Sequence, residues 1–207
     1  MSMPFCPARR SVLTAALAVP FLAMQALAQN SAETFVSGSI QKGLALLNNK
    51  ALAPAAKRDQ FEGFLLDLTD LKRIADFTLG QYRRSASPAD VAAFQTAFQN
   101  YAVSVYQFYF SKYSGQTLKV TGSTQRAPTD TIVSTQLIDP AKSGPPLEVS
   151  FRVRSDGPRP VVTDVSVEGV WLSLQQRDQF VAFLGQNNGN VKLLITHLSE
   201  LSKQFRI

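Results

Sequence analysis

The side chains that could do chemistry are few and far apart. His197 is the only histidine of the chain. Placed within reach of a substrate proton it would be a general base. It lies, however, inside the run Leu193 to Leu201, whose apolar spacing makes it a boundary residue of a helix. Asp164 and Glu168 are four apart in a segment of alternating hydrophobicity, which is where an acid pair or a solvated strand face would be found. Asp67 and Asp70 flank a helix junction, and Asp70 reads as an N-cap. Arg177 could pair with Asp164 or Glu168, tying a helix to a strand. There is no HExxH, no Gly-rich phosphate loop and no nucleophile elbow. Neither a catalytic set, a metal site nor a cofactor is expected.

The one cysteine, Cys6, precedes a long apolar stretch. Arg9 and Arg10, the uncharged run Ser11 to Leu27 and the small residues Ala26 and Ala28 together form an export signal. The arginine pair before Ser11-Val12-Leu13 also suits a twin-arginine signal. Residues 1–28 are therefore expected to be removed, leaving 29–207 as a single domain without any thiol. Its chemistry then excludes disulfides, Cys-ligated metal and a Cys nucleophile. The net charge of +6 is spread along the chain, and no basic run with interleaved aromatics appears, so no nucleic-acid partner is expected.

What the chain has in excess is aromatic and aliphatic bulk, including fourteen phenylalanines. The same residues can fill a core or line a cavity, and composition does not separate the two.

The elements that must position this bulk are legible from periodicity. Asn30 and Glu33 resemble a capping box, and Val36, Ile40, Leu44 and Leu47 then share one helical face. Phe61, Phe64, Leu65 and Leu68 repeat that spacing, and Leu71, Ile74 and Phe77 do so up to Gly80. Ser87-Pro88-Ala89-Asp90 starts a long helix toward Tyr113, carrying Phe94, Phe98, Tyr101, Val105 and Phe108. From Leu118 the period becomes two. Strands are expected from Leu118, around Val133 and Leu137, over Leu147 to Val153, and over Val161 to Val170. In the last, Val165 and Val167 should point inward and Asp164, Ser166 and Glu168 outward. Helices from about Gln175 to Gly185 and from Asn190 onward close the chain. The expectation is an α+β fold: a four-stranded antiparallel sheet packed on one face by about six helices.

Two segments, Leu68 to Tyr113 and Asp164 to Phe180, resemble the MlaC or toluene-tolerance family of periplasmic lipid-binding proteins. The likeness is carried by Leu79-Gly80 and Tyr82 ahead of the Ser-Pro helix start, by Val167-Glu168-Gly169-Val170, and by Arg177 followed by Phe180. Arg83, Trp171 and Gln176 depart from the family's habit. The resemblance implies a periplasmic, non-enzymatic carrier of phospholipid that serves an inner-membrane ABC lipid transporter and an outer-membrane lipoprotein/porin complex. A hopanoid ligand, or a periplasmic adaptor without ligand, are the alternatives. On this reading Val149, Phe151, Val165 and Val167 floor the pocket for the acyl chains. Phe98, Tyr101, Val105, Phe180 and Phe183 close it from the helix side.

Overall fold

The computed structural model describes residues 20–205, with side chains from Ser31. The n-region and most of the apolar run of the expected signal lie outside the described residues. Seven helices and five strands are found among those described. They are α1 (Pro20–Asn48), α2 (Pro54–Leu68), α3 (Leu71–Thr78), α4 (Tyr82–Ser85), α5 (Pro88–Ser111), β1 (Thr117–Ala127), β2 (Asp130–Ile138), β3 (Leu147–Arg154), β4 (Val161–Val167), β5 (Val170–Trp171), α6 (Leu172–Gln186) and α7 (Val191–Gln204).

Helix starts follow local chemistry. The Asp70 side chain accepts from the Arg73 amide, Ser87 from the Asp90 amide, and Asn190 from the Lys192 and Leu193 amides. Pro54 opens α2, because a first-turn residue has no helical acceptor for its missing N–H. Asn30 does not mark a helix start: α1 runs through it from Pro20, and across the expected cleavage point at Ala28. Its neighbour Glu33 instead accepts a hydrogen bond from the Ser123 hydroxyl at 2.5 Å.

The strands form one antiparallel meander in the order β1-β2-β3-β4-β5. The expected single strand from Val161 to Val170 is two, so the sheet has five strands and not four. Glu168 and Gly169 form the turn between them, with φ of 50° and 81°, and Val167 then pairs with Val170. Two consecutive positive φ values match the twist of a two-residue hairpin, and Gly169 supplies one of them without steric penalty.

The register sorts the side chains onto two faces. Leu118 stands opposite Leu137, Val133 opposite Phe151, Phe151 opposite Val165, and Val153 opposite Val162. A bulge beside Arg152 and Val153 leaves Thr163 as the extra residue, which brings both Val162 and Val165 to the apolar face. The other face carries Ile132, Arg152 and Asp164. Helices are not confined to one face, contrary to expectation. α1 packs chiefly on β1 and β2, whereas side chains of α3 and α6 border a hollow with Arg152 and Asp164. The short β5 turns the chain back along the sheet edge, and Asp164 accepts from the Ser173 amide and hydroxyl at the start of α6.

The apolar interior has two main parts. Phe94, Phe98, Leu79, Phe180, Leu184, Leu194 and Leu198 form a helical core contributed by α3, α5, α6 and α7. Ala32 and Val36 of α1 pack with Val133 and Val153 of the sheet in a second cluster.

Candidate functional site

An apolar cavity of about 200 Å³, partly open to solvent, lies between α1 and the apolar face of the sheet. α1 contributes Val36, Ile40, Leu44 and Leu47, one per turn along a single face. Phe64 and Leu68 come from α2, and Phe110 from the last turn of α5. Leu118, Leu137, Phe151 and Val162 come from β1 to β4, so each long strand sends one apolar residue inward. Gly43 faces the Phe64 ring, where a Cβ would make an ordinary contact at 3.4 Å, so α1 and α2 meet closely at this point. The polar groups at this boundary are largely occupied. The Ser39 hydroxyl donates to the Phe35 carbonyl at 2.8 Å, and Tyr113 donates to Asn48 at 3.3 Å.

A second, larger hollow of about 610 Å³ runs between α2 and α5. Phe61, Val103, Phe110 and Phe205 give it an apolar base, and Lys57, Arg58, Glu62, Asn100 and Gln107 a polar rim. Leu47 and Phe110 line both hollows and so form the wall between them. Phe110 is held there by Phe61, with ring centroids 4.2 Å apart.

A third hollow, of about 540 Å³, lies on the charged face of the sheet and includes Arg73, Arg126, Arg152, Arg154 and Asp156. Arg73, Arg152, Arg154 and Asp156 are all ion-paired. Asp130, buried at its carboxylate, accepts from Arg152 at 2.6 and 3.0 Å and meets Arg154 at 3.3 Å. Hydrogen bonding to Arg152 holds the Asp130 carboxyl below its usual range. Asp156 bridges Arg154 and Arg73, which draw its pKa down to about 2. This is an ion-pair network joining α3 to the sheet.

The nine residues expected to share one pocket are dispersed. Phe151 lines the apolar cavity under α1. Val149 is buried and Val165 half-buried, while Val167 is 36% exposed, on the same face but beyond the cover of α1. Phe98 and Phe180 meet edge to face within the helical core, at 6.3 Å. Tyr101 is half-buried with its ring edge toward Phe205, and Val105 is half-buried. Phe183 stacks on the His197 ring at 4.8 Å. Only the end of α5 reaches the cavity, because its middle is taken up by α3, α6 and α7. The cavity residues of α1 went unassigned, although their i, i+4 spacing was the signal that marked them.

The chemical candidates are accounted for locally. Glu168 accepts from the Glu148 amide at 2.7 Å and does not pair with Asp164. Arg177 forms neither expected ion pair among the described residues; its guanidinium lies over the Phe77 ring at 5.1 Å. No three of His, Cys, Asp and Glu converge among the described residues.

An antiparallel meander with α1 laid over an apolar cavity on one face, and α3 and α6 bordering the other, defines an α+β protein. Residues 38–200 match the MlaC protein family, and the chain belongs to that family. The fold is similar to that of a phospholipid-binding protein from Ralstonia solanacearum solved in complex with a phospholipid. The TM-score is 0.67 at 21% identity, covering 86% of this chain and 98% of that one. No curated protein matches the sequence.

Proposed function

We propose that this protein is a periplasmic carrier that houses the acyl chains of a phospholipid between α1 and the sheet. It would move the lipid between an inner-membrane ABC transporter and an outer-membrane complex. The apolar cavity drawn from α1, α2, α5 and β1 to β4 carries this reading. Family membership and the phospholipid complex of the Ralstonia protein support it.

The energetics explain why a container is needed. Exposing a CH₂ group to water costs about 0.8 kcal/mol, so two chains of about sixteen carbons cost on the order of 25 kcal/mol. An uncovered lipid does not cross an aqueous gap at a useful rate. A protein pocket replaces bilayer with apolar side chains and leaves the transfer near balance. No bond is made or broken in such a transfer, so the site has only to bind and release.

The test is mass spectrometry of organic extracts from the protein purified without detergent. Phospholipid at near one molecule per chain is the expected result, and hopanoid would reassign the ligand. An empty extract, together with no uptake from vesicles, would leave an adaptor that acts through protein contacts. Ile40→Asp and Phe151→Asp should each abolish retention, since either puts a charge into the cavity wall.

A further inference from the structure

The cavity under α1 is smaller than the ligand proposed for it. Its volume of about 200 Å³ falls below the range of roughly 300–1,000 Å³ typical of ligand sites. The hollow between α2 and α5, about 610 Å³, stands directly behind the wall made by Leu47 and Phe110. Joined, the two reach the upper part of that range.

The wall is held by a polar latch. The Lys57 ammonium, half-buried on α2, donates to the Leu47 carbonyl at 3.0 Å. That carbonyl belongs to the last turn of α1, where helical acceptors lack partners. Lys57 has no carboxylate within ion-pairing distance among the described residues, and neither has Arg58 beside it. Glu62 is the acidic side chain on the same rim. Two cations facing one carboxylate favour a head with a single phosphate over one with several negative groups.

We infer that the α2–α5 hollow is the seat of the lipid's phosphate-bearing head, held by Lys57 and Arg58, and that the chains pass between Leu47 and Phe110 into the cavity. The inference rests on the carrier reading above. A phosphate competes with the Leu47 carbonyl for Lys57, because an anionic acceptor adds charge–charge attraction to the ammonium's hydrogen bond and a neutral carbonyl does not. Lys57 then leaves the end of α1, Leu47 is free to move, and the wall opens. Arrival of the head thereby unlocks the space that the chains require.

The mature chain has no cysteine, so single cysteines report cleanly. Gln107→Cys places one on the rim of the hollow, and Ser199→Cys places one on the exposed side of α7. The protein is delipidated, then charged with phosphatidylglycerol or with diacylglycerol, each presented on cyclodextrin. Phosphatidylglycerol should slow maleimide labelling at Gln107→Cys and leave Ser199→Cys unchanged. The Lys57→Met/Arg58→Met double variant should take up phosphatidylglycerol about tenfold more weakly, whereas diacylglycerol, for which the wall is now unlatched, should enter at least as well as in wild type. Retained diacylglycerol uptake also certifies that the variant is folded. Three results overturn the inference while the carrier reading stands: loaded protein with an unprotected Gln107→Cys, equal loss of both lipids in the variant, or protection by inorganic phosphate alone. If wild-type protein takes up neither lipid, the carrier reading fails and this inference with it.

Discussion

Asp156 sits between two arginines from different elements, Arg154 of β3 at 2.7 Å and Arg73 of α3 at 3.1 Å. Their hydrogen bonds and charges pull its pKa to about 2, against about 3.9 for an unfolded aspartate. A carboxyl whose folded pKa is depressed stabilises the native state fully above its unfolded pKa, and that stability is lost as pH falls toward the folded value. The window here is about pH 4 down to about pH 2. Asp156→Asn should lower the urea midpoint at pH 7 and flatten its dependence on pH between 2 and 5. The acid limb should not vanish, because Asp130 is also depressed, by Arg152. An unchanged slope would mean that the bridge adds nothing to acid stability. At this scale the sequence spoke unevenly. Asp70 and Ser87 announce themselves as caps, because a cap acts on an amide two or three residues away. Arg73 and Asp156 are far apart in sequence, and their bond depends on how α3 meets the sheet.

Elements were legible where the cause was local, and misread where a neighbour decided. Gly80 shows both. Its place after Leu71, Ile74 and Phe77 marks the end of α3, as observed. Its deeper role is tertiary: φ is 56°, and a Cβ would lie 2.8 Å from Val181 and 3.2 Å from the Arg177 Nε, both on α6. The turn between α3 and α4 therefore approaches α6 as closely as backbone allows. Gly80→Ala meets both the backbone strain and the clash, and should destabilise the fold by about 1–3 kcal/mol. At about 2–4 °C per kcal/mol for a domain of this size, thermal unfolding reads the loss directly. A melting point within a degree of wild type would show that α6 yields at no cost. The division of β4 from β5 was missed for a related reason. Val161 to Val170 alternates well enough for one strand, and the break depends on φ at Glu168 and Gly169, which alternation does not report. The α1 face was read correctly as apolar, but periodicity does not say whether an apolar face meets side chains or a void.

The whole molecule divides its apolar residues between two jobs. Phe98 and Phe180, aromatics of α5 and α6 expected to close a pocket, are packed with Phe94 in the helical core, where Phe180 meets Phe94 and Phe98 edge to face at 5.9 and 6.3 Å. That core is filled, and its leucines Leu79, Leu184, Leu194 and Leu198 are inaccessible to solvent. The cavity is instead closed by α1, α2 and the end of α5, which meet across Leu47, Phe64 and Phe110. Such an arrangement lets one half open while the other stays rigid, since the filled core resists change of volume and the hollow half does not. Loading with lipid should therefore stabilise the molecule unevenly. By mass action a ligand at a hundred times its Kd adds about 2.7 kcal/mol to global stability. Locally, hydrogen exchange should slow most in residues 40–48 of α1, in α2 and in β1, where delipidated protein opens by partial unfolding. The amides around Phe94, Phe98 and Phe180 should change only by the global increment. Exchange measured on delipidated and loaded protein decides the matter. Protection concentrated in α3, α6 and α7 would place the ligand among the helices and reject the α1–sheet cavity as its home.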